Sequence, residues 1–339
     1  MTPAAPPDAH LCGATGAPAD GGGLALAGVS ASAGSRAIAR DGTVAARKPR
    51  SVARTDAAPA SLAARIDALC RAALLDEAMA WPKPGLVTPR DSGSHRDMNI
   101  ATFIASVGAL DGCFAAMAEA GAADAPLAVL QRIGIEAELR MRAATAGVNT
   151  HRGAIFNLGL LAAAVGLRAA RPACWGGRAV CAIVRERWGD AILAARAEAP
   201  GTHGNAVFRA HAAGGARAEA AAGFPSVTDV GLPALRRLRA AGIDGERALV
   251  GCLMALMAEL DDTNLLWRGG TDGLAHARAA ARGFLAGGGV LAPDWQARLC
   301  ALHDDFVARR LSPGGSADLV AASVVADALD RLPDAPRRS

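Results

Sequence analysis

Tyrosine is absent from this 339-residue chain, and aromatic residues make up only 4% of it. So few strand-favouring side chains disfavour a β-sandwich or barrel. Charge is also nearly balanced. A net charge of +4 is too small an excess to mark a nucleic-acid binder, though it is compatible with an anionic small-molecule substrate. The seven cysteines, at positions 12, 70, 113, 174, 181, 252 and 300, form no CxxC pair and are odd in number. That excludes a disulfide framework or zinc ribbon and leaves buried free thiols in a reducing, cytoplasmic setting. No apolar run reaches the ~18 residues that span a bilayer, so no membrane partner is expected. The N-terminus has no basic region followed by an apolar core, so no secretory signal is read. Also missing are a GxxxxGK[ST] phosphate loop, a GxSxG elbow and a strand-borne GxGxxG. His95, His151, His203, His211, His276 and His303 show no HExxH or other metal spacing.

What the chain has is alanine, about a quarter of all residues by count. Alanine is the best helix former, and apolar residues recur at helical spacing almost throughout. SLAARIDALCRAALLDEAMAW, NIATFIASVGALDGCFAAMAEAG and PLAVLQRIGIEAELRMRAATAG each read as one helix. AIFNLGLLAAAVGLRAA is apolar nearly all round and reads as a central buried helix. Further helices follow, down to SADLVAASVVADALDRL, and many end at glycine. No strand alternation, βαβ rhythm or repeat is visible. The expectation is an all-α fold: one domain of roughly ten helices over residues 59–332. Residues 1–58, rich in Ala, Gly, Pro and Ser, read as a flexible tail, and 333–339 as a second short one.

Against this background, windows without alanine stand out. Residues 81–100 read WPKPGLVTPRDSGSHRDMNI. Pro82, Pro84 and Pro89 forbid helix and rigidify the loop, placing Lys83 between two prolines. His95, Arg96 and Asp97 crowd before a helix expected near Met98. Asp97 reads as its N-cap, while the adjacent cations suit an anion site. In GVNTHRG, the residues Asn149, Thr150, His151 and Arg152 enter the most apolar helix, and capping and phosphate binding are both open readings. In ELDDTNLLWRGGTDGL, Asp261 and Asp262 end an apolar helix, where acidic charge opposes the dipole. Together with Thr263 and Asn264 they read as a Mg²⁺ site, and Arg268 with its glycines as a phosphate contact; a solvated acidic turn is the alternative. Two further windows are the one from Gly201 to Pro225, with His203, His211, Arg217 and Glu219, and LSPGGSADL, with Ser312.

Six segments in order, PKPGLVTPRDSGSHRDM, GVNTHRGAIFNLGLL, GTHG, GARAEAAAGFP, LMAELDDTNLLWRGG and SPGGSADL, resemble the triphosphoribosyl-dephospho-CoA synthase family. The resemblance covers residues from about 61 to 330. Ala218 departs from it, standing where a glycine is expected. The resemblance implies an all-α enzyme that joins the triphosphoribosyl group of ATP to the ribose 2′-hydroxyl of 3′-dephospho-CoA and releases adenine. Its product would be the prosthetic-group precursor of malonate decarboxylase or citrate lyase, passed on by a downstream carrier-protein transferase. The wording of GVNTHRGAIF resembles the malonate decarboxylase branch more closely.

Such a reaction breaks a ribose–adenine bond through an oxocarbenium-like transition state. On that reading Asp261 and Asp262 hold Mg²⁺ on the triphosphate. Lys83, His95, Arg152, Arg217 and Arg268 meet phosphates. Arg96, Asn149, Thr150, His151, His203, Thr263, Asn264 and Ser312 complete the substrate site. Glu219 or Asp97 serves as base or oxocarbenium partner, with Asp262 also catalytic. Two other classes compete: a Mg²⁺-dependent phosphohydrolase or ADP-ribosyl-type hydrolase, and a helical scaffold that binds a carrier protein. Polar clusters at helix ends suit a site better than a docking face.

Overall fold

The computed structural model describes residues 60–197 and 214–331. The expected tails at 1–58 and 333–339, the GTHG segment, His203 and His211 lie outside the described residues. Among the described residues every element is helical and there is no strand, as the alanine content predicts. In chain order the helices are α1 (Leu62–Met79), α2 (Ile100–Ala109), α3 (Cys113–Ala122), α4 (Leu127–Ala144), α5 (Arg152–Ala170), α6 (Pro172–Trp175) and α7 (Val180–Ala197). After the undescribed segment come α8 (Gly215–Ala221), a π-helical turn (Ser226–Gly231), α9 (Leu232–Ala240), α10 (Gly245–Glu259), α11 (Thr263–Ala286), α12 (Trp295–Ala308) and α13 (Gly314–Asp330).

The expected single helix from Asn99 to Gly121 is two. Gly112 adopts φ 75°, which breaks the run between α2 and α3. Helix α2 begins after Asn99, whose side chain exchanges hydrogen bonds with Thr102 in a capping box. Asp97 is therefore not the cap. The buried Asp67 of α1 caps α3 from a distance, accepting from the Phe114 and Ala115 amides at 3.0 and 3.3 Å. Helix α11 bends at Gly270, whose φ of 62° is non-helical.

Helix α5 is the spine, buried from Leu158 through Leu167. By length and composition it could cross a membrane, contrary to the sequence reading, and so could the Ile100–Ala122 stretch. However, 78% of the α5 window is buried inside the structure, as in a core helix, and the other stretch is the broken α2–α3 pair. Helix α3 lies directly on α5 because both are built from small residues. A Cβ on Gly121 would overlap the Ala163 carbonyl, and one on Gly166 would overlap that of Ala118. Alanine and glycine thus allow backbone-to-backbone contact, where larger side chains hold helix axes ~8–10 Å apart. Helices α1, α4, α7 and α13 complete the packing around α5.

Of the cysteines described, Cys70, Cys113, Cys181 and Cys252 are buried, as expected. Burial pushes the thiols of Cys113, Cys181 and Cys252 up to about 12, so they stay protonated. Cys174 is exposed and Cys300 half-buried, which departs from the uniform expectation.

Gly166→Ala tests the α3–α5 contact. The added methyl forces the helices apart, and an overpacking loss of about 1–3 kcal/mol is expected in urea unfolding. Gly283→Ala, at a helical position with open space around it, leaves stability unchanged or slightly raised.

Candidate active site

A cavity of 1820 Å³ opens where the N-termini of α5, α8, α11 and α13 meet the loop that follows α1. It gathers Lys83, His95, Asp97, Asn149, Thr150, His151, Arg152, Arg217, Glu219, Asp261, Thr263, Asn264, Arg268 and Ser312. Fourteen positions scattered over most of the sequence therefore line one space. Arg96 and Asp262 do not line it: Arg96 is exposed and Asp262 is buried behind the wall.

Asp262 has a different task from the expected metal ligand. It is 1% exposed and N-caps α11. Its Oδ1 accepts from the amides of Asn264 (2.9 Å), Leu265 (3.4 Å) and Gly315 (3.3 Å). Its Oδ2 accepts from the Ser316 amide (2.7 Å) and hydroxyl (2.9 Å). Burial raises this carboxyl, and the same donors pull it back down. Asp261 points elsewhere, to Arg278 at 2.8 Å. The two aspartates do not converge, and among the described residues no group of three or more His, Cys, Asp or Glu does. The DD pair does not fit a protein-held Mg²⁺ ion.

Lys83 also departs from its expected role. It is 3% exposed, and its ammonium bonds the Glu77 carboxylate at 2.7 Å and the carbonyls of Glu77 and Ala78 at 2.5 and 3.5 Å. All three of its donors go to the C-terminus of α1, where positive charge is favoured. It anchors the proline-rich loop rather than presenting a free charge. His303 of α12 braces the same loop, through the Lys83 carbonyl at 2.9 Å and Asp91 at 3.1 Å.

His95 and Arg268 meet as expected, but as links in a chain. Arg268 Nη2 donates to His95 Nδ1 at 3.1 Å, which leaves the ring proton on Nε2, 2.9 Å from Ser312 Oγ. Burial and then the Arg268 charge lower His95 to about 4, so the ring is neutral. Ser312 receives its hydrogen bond and can donate its own hydroxyl into the cavity. Arg268 also holds the Ser94 carbonyl at 3.1 Å.

At α5, Asn149 accepts from the Arg152 amide at 3.2 Å, which is the capping reading of that loop. Thr150 donates to Ser106 at 2.6 Å, and Ser106 meets His151 Nδ1 at 2.6 Å. His151 is buried, and desolvation followed by the Lys83 charge lowers it to about 3. Its Nε2 and the Asn157 Oδ1 are buried without a hydrogen-bond partner, and both residues line the cavity. Unsatisfied buried polar atoms are rare enough to mark this wall as functional. Arg152 is half-exposed and pairs with Glu138 at 3.2 Å. Arg217 titrates below its ordinary value, through burial and then the charge of Arg152. Two guanidinium groups on one wall, beside the N-terminus of a 19-residue helix, make an anion cradle.

Glu219 accepts from the Ser226 amide of the π-turn at 2.6 Å, and burial raises its carboxyl. Asp97 is 64% exposed and 3.9 Å from His95. Sequence reasoning missed Glu77, Asn157 and Asp318, all lining the cavity. Asp318 and Asn157 sit in the quoted SPGGSADL and GVNTHRGAIFNLGLL segments; Glu77 sits in the last turn of α1, where only its polarity on a buried face marks it.

Asp262→Asn is expected to unfold more readily, by about 1.5–3 kcal/mol, because an amide NH₂ faces backbone N–H donors. Urea denaturation checks this; full stability with activity alone lost would restore the ligand role. His95 has its own signature. Its folded value of about 4 lies below the ordinary 6.5, so the unfolded chain binds more protons between those values and stability falls as pH drops through that window. His95→Gln therefore loses less stability than the parent chain between pH 7 and pH 5, measured by urea titrations at both.

No solved structure matches this chain. The profile of the CitG family, ATP:dephospho-CoA triphosphoribosyl transferase, matches residues 63–336. A "Probable 2-(5''-triphosphoribosyl)-3'-dephosphocoenzyme-A synthase" of Acinetobacter calcoaceticus is 38% identical, over 77% of this chain and 90% of the relative. The "2-(5''-triphosphoribosyl)-3'-dephosphocoenzyme-A synthase" of Pectobacterium atrosepticum is 42% identical, over 76% and 86%. A match spanning nearly all the described helices, including every cavity-lining segment, shows that the chain belongs to the CitG family, the ATP:dephospho-CoA triphosphoribosyl transferases.

Proposed function

We propose that the cavity carries out the family's transfer: ATP gives its triphosphoribosyl group to the 2′-hydroxyl of 3′-dephospho-CoA, and adenine leaves. The observation that carries this reading is the anion cradle of Arg152 and Arg217 in a space of 1820 Å³. Ordinary ligand pockets measure ~300–1,000 Å³, so this one has room for two nucleotide-sized substrates.

Arg152, Arg217 and the α5 N-terminus receive the triphosphate, which must be gripped without being cleaved. The Ser312 hydroxyl, aligned by His95 and Arg268, positions a substrate oxygen. Glu219 takes the proton of the attacking hydroxyl. It is favoured over Asp97 because its burial suits a tuned base, whereas Asp97 is largely solvated. Mg²⁺ brought in with ATP would offset part of the triphosphate charge, leaving the rest to Arg152 and Arg217. The cytoplasmic setting read from the free cysteines belongs to the same proposal. So does the product's fate, as precursor of the carrier prosthetic group of malonate decarboxylase or citrate lyase.

The protein mixed with MgATP and 3′-dephospho-CoA is expected to release free adenine and form an adduct with an intact triphosphate, read by mass spectrometry. ADP, AMP or phosphate without adenine would move the phosphohydrolase reading to the front. Arg217→Ala is expected to raise the KM for ATP at least about 10-fold, as loss of a charge-assisted phosphate contact should.

A further inference from the structure

Two cavity carboxyl groups are left unused by the mechanism above and form no hydrogen bond among the described residues: Asp97, whose side chain is 64% exposed, and Asp318. Asp318 sits in the second turn of α13 and lines the cavity. Its carboxylate is pressed against the start of α5, where a Cβ on Gly153 would overlap Oδ2. A side chain at 153 would push it away, so the glycine in GVNTHRG makes its seat.

The contrast with Asp262 is chemical. Asp262 accepts from five N–H and O–H donors, which favour its ionised form. Asp318 has none of these. Burial, and after it the neighbouring carboxyls of Glu77 and Asp262, raise it well above the ordinary carboxylate range. Lys83 gives its ammonium to Glu77 and the end of α1 and makes no hydrogen bond to Asp318. Such surroundings favour the protonated form of a carboxyl group.

We propose that Asp318 is the general acid of the transfer, delivering its proton to a ring nitrogen of the departing adenine. This inference rests on the transferase reading above. As the C1′–N9 bond breaks, its electron pair goes to the purine, which the Asp318 proton neutralises. The 2′-hydroxyl oxygen of dephospho-CoA bonds to C1′, and its proton goes to Glu219. Adenine leaves neutral, and one proton passes from Glu219 to Asp318 through cavity water between turnovers. Two carboxyl groups in different surroundings thus take opposite roles.

The experiment compares ATP with its N7-methylated analogue, whose purine is already cationic and leaves without a proton. Asp318→Asn is expected to lose kcat with ATP by at least about 100-fold while KM changes little, and to recover to within about 10-fold of the parent enzyme with the methylated nucleotide. An equal loss with both nucleotides, or near-normal kcat with ATP, overturns the proposal. If the variant does not fold, the parent enzyme decides. Its rate with ATP is expected to fall on the alkaline side as Asp318 loses its proton, and that limb should vanish with the methylated nucleotide; persistence of the limb overturns the proposal. Failure of the parent enzyme to form the adduct from either nucleotide would instead refute the transferase reading itself.

Discussion

The site hangs on one buried carboxylate. Asp262 holds the first turns of α11 and α13 together, using both of its oxygens. Two helix N-termini, each with orphan amides, would otherwise repel one another and need water between them. A single negative charge satisfies both. The glycines opposite are part of the same device. A Cβ on Gly315 would come within 3.0 Å of Asp262 Oδ1, and one on Gly314 within 2.6 Å of the Asn264 amide. DDTN and SPGG, more than fifty residues apart, are thus two halves of one clamp. Ser312 lies just before it on α13's approach, and Asp318 one turn inside, so the clamp sets where both of them sit.

A second constraint comes from α5. Its middle is buried and largely apolar, so its cavity-facing polar groups gather at its start, while Arg168 at the far end bonds the Arg178 and Leu329 carbonyls. At the start the chain carries Asn149 as a cap, the Thr150–Ser106–His151 network and Arg152 at the rim. The hydrophobic spine fixes the direction of the helix and hence where its N-terminal amides point. Fold and anion site are thereby the same statement about one helix.

Helix content and the central position of α5 were legible because alanine and apolar periodicity report them directly. The break at Gly112 was not, since a lone glycine within an apolar run does not reveal its φ angle. The polar windows also located the cavity, because a chain whose default residue is alanine must have a reason to depart from it. Composition could not tell which reason applied. Lys83 and Asp262 are as polar and as locally distinctive as Arg152 and Arg217, yet they brace helix ends. The difference lies in partners that are distant in sequence: Ser316 for Asp262, and the last carbonyls of α1 for Lys83.

Lys83 shows why such bracing residues are chemically specific. It is the only lysine among the described residues, in a chain that otherwise uses arginine for positive charge. Its three acceptors converge on one ammonium at the end of α1, a geometry a planar guanidinium cannot match. The pair it forms with Glu77 is buried, so removing either partner would strand a charge. With all three Lys83 donors committed to the end of α1, phosphate is left to the Arg152 and Arg217 wall.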